Sequence, residues 1–218
     1  LLENKLFNKF VDTSRLFIYY CTRHYIENAS GDTGAEIRDT IKALATYGSP
    51  KESSWPYVIS KFDNKPSPIA FKEALNYQIL TYVSLKTQSE IQKALAAGFP
   101  VQMGFDVYES FDRIGSDGIM PMPDANNESY LGGHAVCIVG YKKIGDVLYF
   151  IVRNSWGTEF GDSGYFYMPA QNLENASDFW TIYTEEMPND NPIPPAPSEC
   201  QKKYDALVAG LKKLVAGL

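Results

Sequence analysis

The chain's capacity for nucleophilic chemistry rests on few residues, because its 218 positions hold only two histidines and three cysteines. His134 stands in YLGGHAVCIVGY behind Gly132 and Gly133, and Asn154 follows in VRNSWG. An amide oxygen can accept from one ring N–H of an imidazole and fix its orientation. The other ring nitrogen is then free to take a proton from a thiol. His134 and Asn154 therefore read as the basic half of a Cys-His site, with Trp156 expected to cover their hydrogen bond. Gly157, Gly161 and Gly164 are expected to form a tight loop that keeps a cleft wall open.

The elements that must position this pair follow from periodicity. Two short β-branched and aromatic runs, HAVCIVGY and VLYFIVRNS, flank a Gly145-Asp146 turn and predict an antiparallel hairpin. That hairpin would bring His134 and Asn154 to one sheet end. PVQMGFDVY and GYFYMP read as further strands. Upstream the period is helical. Leu1, Leu2, Leu6, Phe7 and Phe10 recur at helical spacing without a preceding cap, so the chain is expected to open inside a helix. A second helix is predicted over about 14–26, with Phe17, Tyr20, Cys21 and His24 on one face. A third opens with a capping box, Thr33 to Glu36, turns Ile37, Ile41 and Leu44 inward and stops at Gly48. Residues 49–68 read as a Pro/Ser-punctuated loop, and a second capping box, Thr87 to Glu90, starts a short helix.

Helices followed by strands predict an α+β fold of two lobes: residues 1–75 helical, 76–186 β-rich. A third segment, 187–218, carries PNDNPIPPAP and then an amphipathic helix capped by Ser198, docked on its own protein or on a partner or membrane surface.

Hydrophobic residues make up 44% and charged residues 21%, a globular composition. The net charge of −6 and the lack of a basic stripe argue against a nucleic-acid partner. No apolar run is long enough for a transmembrane segment, and LLENKLFNKF is too charged for a signal peptide. Asn28, Asn127 and Asn175 head Asn-x-Ser sequons, which matter only in a source that glycosylates. The reading needs no cofactor and no metal.

GGHAVCIVGY with VRNSWGTEFGDSGYF resembles the histidine and asparagine blocks of the papain-like cysteine peptidases. SGDTGAEIRDTIKALATYGSPKESSWPY resembles the family's substrate strip and following helix, EIQKALAAGFPVQMGFDVYESF the first barrel strands, and YFYMPAQNLENASDFWTIY the closing strands of bacterial members. The similarity runs from about Thr13 to Tyr183. It implies a helical left lobe and a β-barrel-like right lobe, with a peptide or protein substrate in the cleft between them. His134 would pair with the nucleophilic thiol and protonate the leaving amine, and Asn154 would orient it. Gly34 would hydrogen-bond the substrate backbone. Gly104 and Ala135 would line the pocket for the side chain second from the scissile bond, with Gly133 and Trp156 also against substrate. A bacterial, secreted or extracytoplasmic protein is implied in the same way.

The resemblance places the cysteine roughly 130–150 residues before the His and Asn. Residues 1–4 hold none, Cys21 sits on an apolar helix face, Cys137 reads as core, and Cys200 lies in the tail. The nucleophile and its oxyanion donors are therefore expected upstream of Leu1, in an N-terminal segment or with a propeptide. A papain-fold pseudoenzyme that binds peptides, and a papain-like transferase or amidase, remain as alternatives.

Overall fold

The structure, a computed structural model, describes residues 11–79 and 81–183. The expected opening helix at Leu1–Phe10 and the tail helix lie outside the described residues.

Helix α1, Arg15–Cys21, begins where Ser14 caps it: the hydroxyl accepts from the Phe17 N–H at 3.1 Å and donates to Trp55 O. The helix widens into a π-turn over Thr22–Ile26, ending with the Glu27 N–H on Thr22 O. Phe17, Tyr20 and Cys21 are buried and pack with Ala43, Ala70 and Ala74, against Tyr47, Trp55 and Phe71. Helix α2, Ile37–Tyr47, crosses this cluster and stops at Gly48. Its predicted capping box does not form. Gly34 takes a positive φ of 77°, the Thr33 hydroxyl turns to Gly34 O, and the Glu36 N–H is taken by Glu27 Oε1. Ile41 and Ala43 are its buried residues, while Ile37 and Leu44 are only half-buried. Helix α3, Pro68–Ala74, was not expected from the Pro-rich loop before it. Its signal is Ser67 as cap with Pro68 at the first helical position, where a missing N–H costs nothing.

One six-stranded antiparallel sheet fills the rest. Its strands are β1 Thr81–Ser84, β2 Val101–Tyr108, β3 Tyr130–Ile144, β4 Val147–Arg153, β5 Tyr165–Pro169 and β6 Ala176–Tyr183, in the order β1-β6-β2-β3-β4-β5. Helix α4, Gln88–Ala96, opens with the predicted capping box between Thr87 and Glu90. The mixed architecture is the α+β fold expected. β3 and β4 form the predicted hairpin, closed at Ile144↔Val147 around Gly145 and Asp146. The inner face buries Met103, Phe105, Val136, Ile138, Phe150, Val152, Phe166 and Met168. Cys137 is not part of this core. It lies between Val136 and Ile138, so the pleat turns it to the opposite face, half-buried, in register with Gln102 and Arg153.

Candidate active site

β3 and β4 carry the candidate pair out of the ladder together. Their last register pair on this side is Cys137↔Arg153, beyond which β3 continues to His134 and β4 releases Asn154. Asn154 is held in place by its own backbone, whose N–H donates to Gly164 O at 2.9 Å across the glycine loop. Its side chain is nearly buried, and Oδ1 accepts from both His134 Nε2 at 2.9 Å and the Ser155 N–H at 2.8 Å. Because a backbone N–H can only donate, Oδ1 is the acceptor, and His134 must carry its proton on Nε2. Nδ1 is left as the free, basic nitrogen.

Aromatic rings hold the imidazole. Trp156 stacks on it with centroids 5.0 Å apart and planes at 29°, while the residue remains 52% exposed. Phe111, fully buried, meets Trp156 edge-on at 5.5 Å and His134 at 6.3 Å. Phe160 meets Trp156 at 5.2 Å, and Phe105 lies 5.9 Å from the imidazole. Phe111 is carried by a turn at Glu109–Arg113 that Glu128 ties down. The carboxylate accepts from the Ser110 N–H and from Arg113 Nη2, each at 2.7 Å. The Ser110 side chain first, and then the Ser110 N–H and Arg113, hold the Glu128 carboxyl at about 2, well below its ordinary value. Sequence reading missed Phe105, Phe111, Phe160 and Glu128; the ESF and EFG triplets hold Phe111 and Phe160, and Phe105 stands in the strand run PVQMGFDVY.

The substrate-side candidates fall into two groups. Gly104 and Ala135 are directly paired across β2 and β3, and a side chain at Gly104 would come within 3.6 Å of Ile37 Cδ1 on α2. The two helical and β-rich portions thus meet at this pair. Gly133 is exposed with open space around it, one residue from the imidazole. Gly34 lies on the helical side, but its N–H donates to Tyr19 Oη at 3.0 Å and faces its own protein. Its neighbour Ala35 is exposed.

The described thiols are poor nucleophiles. Cys21 is fully buried and desolvation pushes it up to about 12; burial also raises Cys137, to about 11. Among the described residues no group of His, Cys, Asp and Glu could hold a metal ion, and no helix is long and apolar enough to cross a membrane.

Comparison with known proteins matches residues 2–181 to the sequence model of the papain family cysteine proteases. An uncharacterized peptidase C1-like protein of Acanthamoeba polyphaga mimivirus is 40% identical over 183 residues, 78% of this chain and 58% of that protein. Cysteine proteinase 2 of Entamoeba histolytica is 31% identical, over 72% of this chain and 48% of its own. Among solved structures, xylellain, a cysteine protease from Xylella fastidiosa, superposes with a TM-score of 0.71 at 38% identity, covering 79% of this chain and 70% of that one. The chain thus spans about half the length of the curated relatives it matches.

Proposed function

The chain belongs to the papain family of cysteine proteases, and we propose that in its full protein it supplies the base and the substrate cleft of a Cys-His-Asn peptidase. The observation that carries this reading is the His134–Asn154 bond of 2.9 Å, which leaves Nδ1 as the proton acceptor beside an exposed tryptophan and glycine.

In this reading the thiol comes from a segment preceding Leu1, because Cys21 and Cys137 are both protonated at neutral pH and neither adjoins His134 in the hydrogen-bond network. The thiol proton passes to His134 Nδ1 and the thiolate attacks the peptide carbonyl carbon. His134 then returns the proton to the amine as the C–N bond breaks, leaving a thioester. Water, deprotonated by the same nitrogen, cleaves the thioester and restores the thiol. Asn154 keeps Nε2 protonated throughout and orients the ring. Gly104 and Ala135 form the floor for one substrate side chain, with Ile37 as the facing wall, and Trp156 and Gly133 flank the leaving-group side. An extracytoplasmic location and an N-terminal propeptide belong to the same proposal.

The test is hydrolysis of a mixed peptide library by the full protein, with and without prior thiol alkylation, beside His134→Ala. Reductant-dependent cleavage lost in both treatments supports the reading. Peptide binding without cleavage would favour a pseudoenzyme, and transfer of the acyl group to an added amine in preference to water would favour a transferase.

A further inference from the structure

Arg23 is the single charged side chain buried outright among the described residues. Burying a guanidinium is costly unless its donors are met; here both terminal nitrogens are met by one short stretch of chain and one loop, while Nε has no hydrogen-bond partner among the described residues. Nη1 donates to Gly31 O and, at 3.0 Å, to Asp63 Oδ1; Nη2 donates to Phe62 O at 2.6 Å. The plane lies over the Tyr19 ring at 4.1 Å, with Phe62 at 5.3 Å. Asp63 Oδ1 also accepts from the Gly31 N–H and bonds His24 Nε2 at 2.8 Å. Tyr19, held by this stacking, accepts the Gly34 N–H and donates to the Asp32 carboxylate.

Gly31 and Gly34 both have positive φ and no packing partner where a side chain would be. Left to itself such a segment would sample many conformations. Three of its four residues, Gly31, Asp32 and Gly34, are nevertheless tied to Arg23, Asp63 or Tyr19. We propose that Tyr19 and Arg23 are positioning residues: with the Gly34 N–H spent on Tyr19, they lock Gly31–Gly34, which leads into Ile37 beside the Gly104–Ala135 pair, in the one conformation whose remaining backbone groups receive the substrate. The proposal rests on the peptidase reading above for its substrate. Because the lock makes no contact with His134 or Asn154, its loss weakens the hold on substrate and leaves the chemical step intact.

The test is amide hydrogen exchange over residues 31–36 together with peptide-hydrolysis kinetics, on the full protein and its Tyr19→Phe and Arg23→Lys variants. Tyr19→Phe keeps the ring over the guanidinium and removes only the hydroxyl. It is expected to speed Gly34 exchange about tenfold, leave the amides of Arg15–Cys21 unchanged, and raise KM by about tenfold with kcat within about twofold. Arg23→Lys keeps the charge but not the fork, and is expected to show the same split. Unchanged Gly34 exchange in Tyr19→Phe, exchange rising equally through α1, or a fall in kcat at constant KM would each overturn the proposal. A wild-type protein that hydrolyses nothing, while Gly34 responds as expected, sinks the peptidase reading and supports the lock.

Discussion

Trp156 stacks on His134 with planes at 29°, yet about half of its own surface stays exposed. It therefore shields the His134–Asn154 hydrogen bond from one side without being part of the core. Trp156→Ala should lower kcat by about three- to tenfold, the worth of one aromatic pair, with little change in Tm. Steady-state kinetics of the full protein beside a melting curve separate the two.

Asn154 offers a sharper contrast. Its Oδ1 serves both His134 and Ser155, whereas Nδ2 has no partner among the described residues. Asn154→Ala should lose on the order of 10²-fold in kcat, because the imidazole is no longer held in one orientation. Asn154→Asp keeps both acceptor bonds and should retain more activity than the alanine variant. Equal loss in the two would show that the amide oxygen does not orient the ring.

Glu128 predicts an acid limit. Its folded value, about 2, lies below the value of 4.5 expected for an ordinary carboxyl. A depressed carboxyl stabilises the fold above its unfolded value and ceases to do so as pH falls through its folded value. The contribution is therefore complete above about pH 4.5 and gone near pH 2. Glu128→Gln should melt below wild type at pH 7, and the gap should close on acidification. A gap independent of pH would show that charge at Glu128 does not matter.

Cys21 should be inert in the folded protein. With a thiol near 12, only about one molecule in 10⁴ is thiolate at pH 8. Cys21→Ala should leave peptide hydrolysis unchanged, and alkylation followed by peptide mapping should find Cys21 unmodified until the chain is unfolded. Rapid labelling of native Cys21, with loss of activity, would reverse its assignment as a packing residue.

The glycine loop beyond Trp156 is under tight steric limits. At Gly161, with φ of 55°, an added Cβ would stand 2.3 Å from Tyr165 O. Gly161→Ala should cost roughly 2 kcal/mol or more in stability and lower kcat as well, because the same loop anchors Asn154 through Gly164. Denaturant melts and kinetics on one preparation measure both.

Much of this site was legible because its parts are local. The Gly145-Asp146 turn and two alternating runs identify the hairpin, and the hairpin alone brings His134 to Asn154. The Thr87–Glu90 cap was readable for the same reason. What escaped reading depends on contacts distant in sequence. Arg23 follows Cys21 in what reads as one helix; a π-turn shifts the phase there and rotates the guanidinium inward toward Asp63. Thr33 and Glu36 have the residue types of a capping box, but Glu27 captures the Glu36 N–H that the Thr33 hydroxyl would have accepted. Cys137 reads as core from its neighbours, although strand alternation sends it to the other face. Phe111 and Glu128 are joined across a loop, so neither signals the other in sequence.

The placement of His134 and Asn154 on one hairpin also bears on when the site comes into being. Closing a loop of this length is a microsecond-scale, low-entropy event, so the imidazole and its orienting amide can be assembled while the helical portion is still unfolded. Arg23, by contrast, gathers Gly31 and Asp63 from either side of α2, and its network forms only after that helix has docked. The hairpin that pairs His134 with Asn154 can thus form before the Arg23 network closes over Gly31–Gly34.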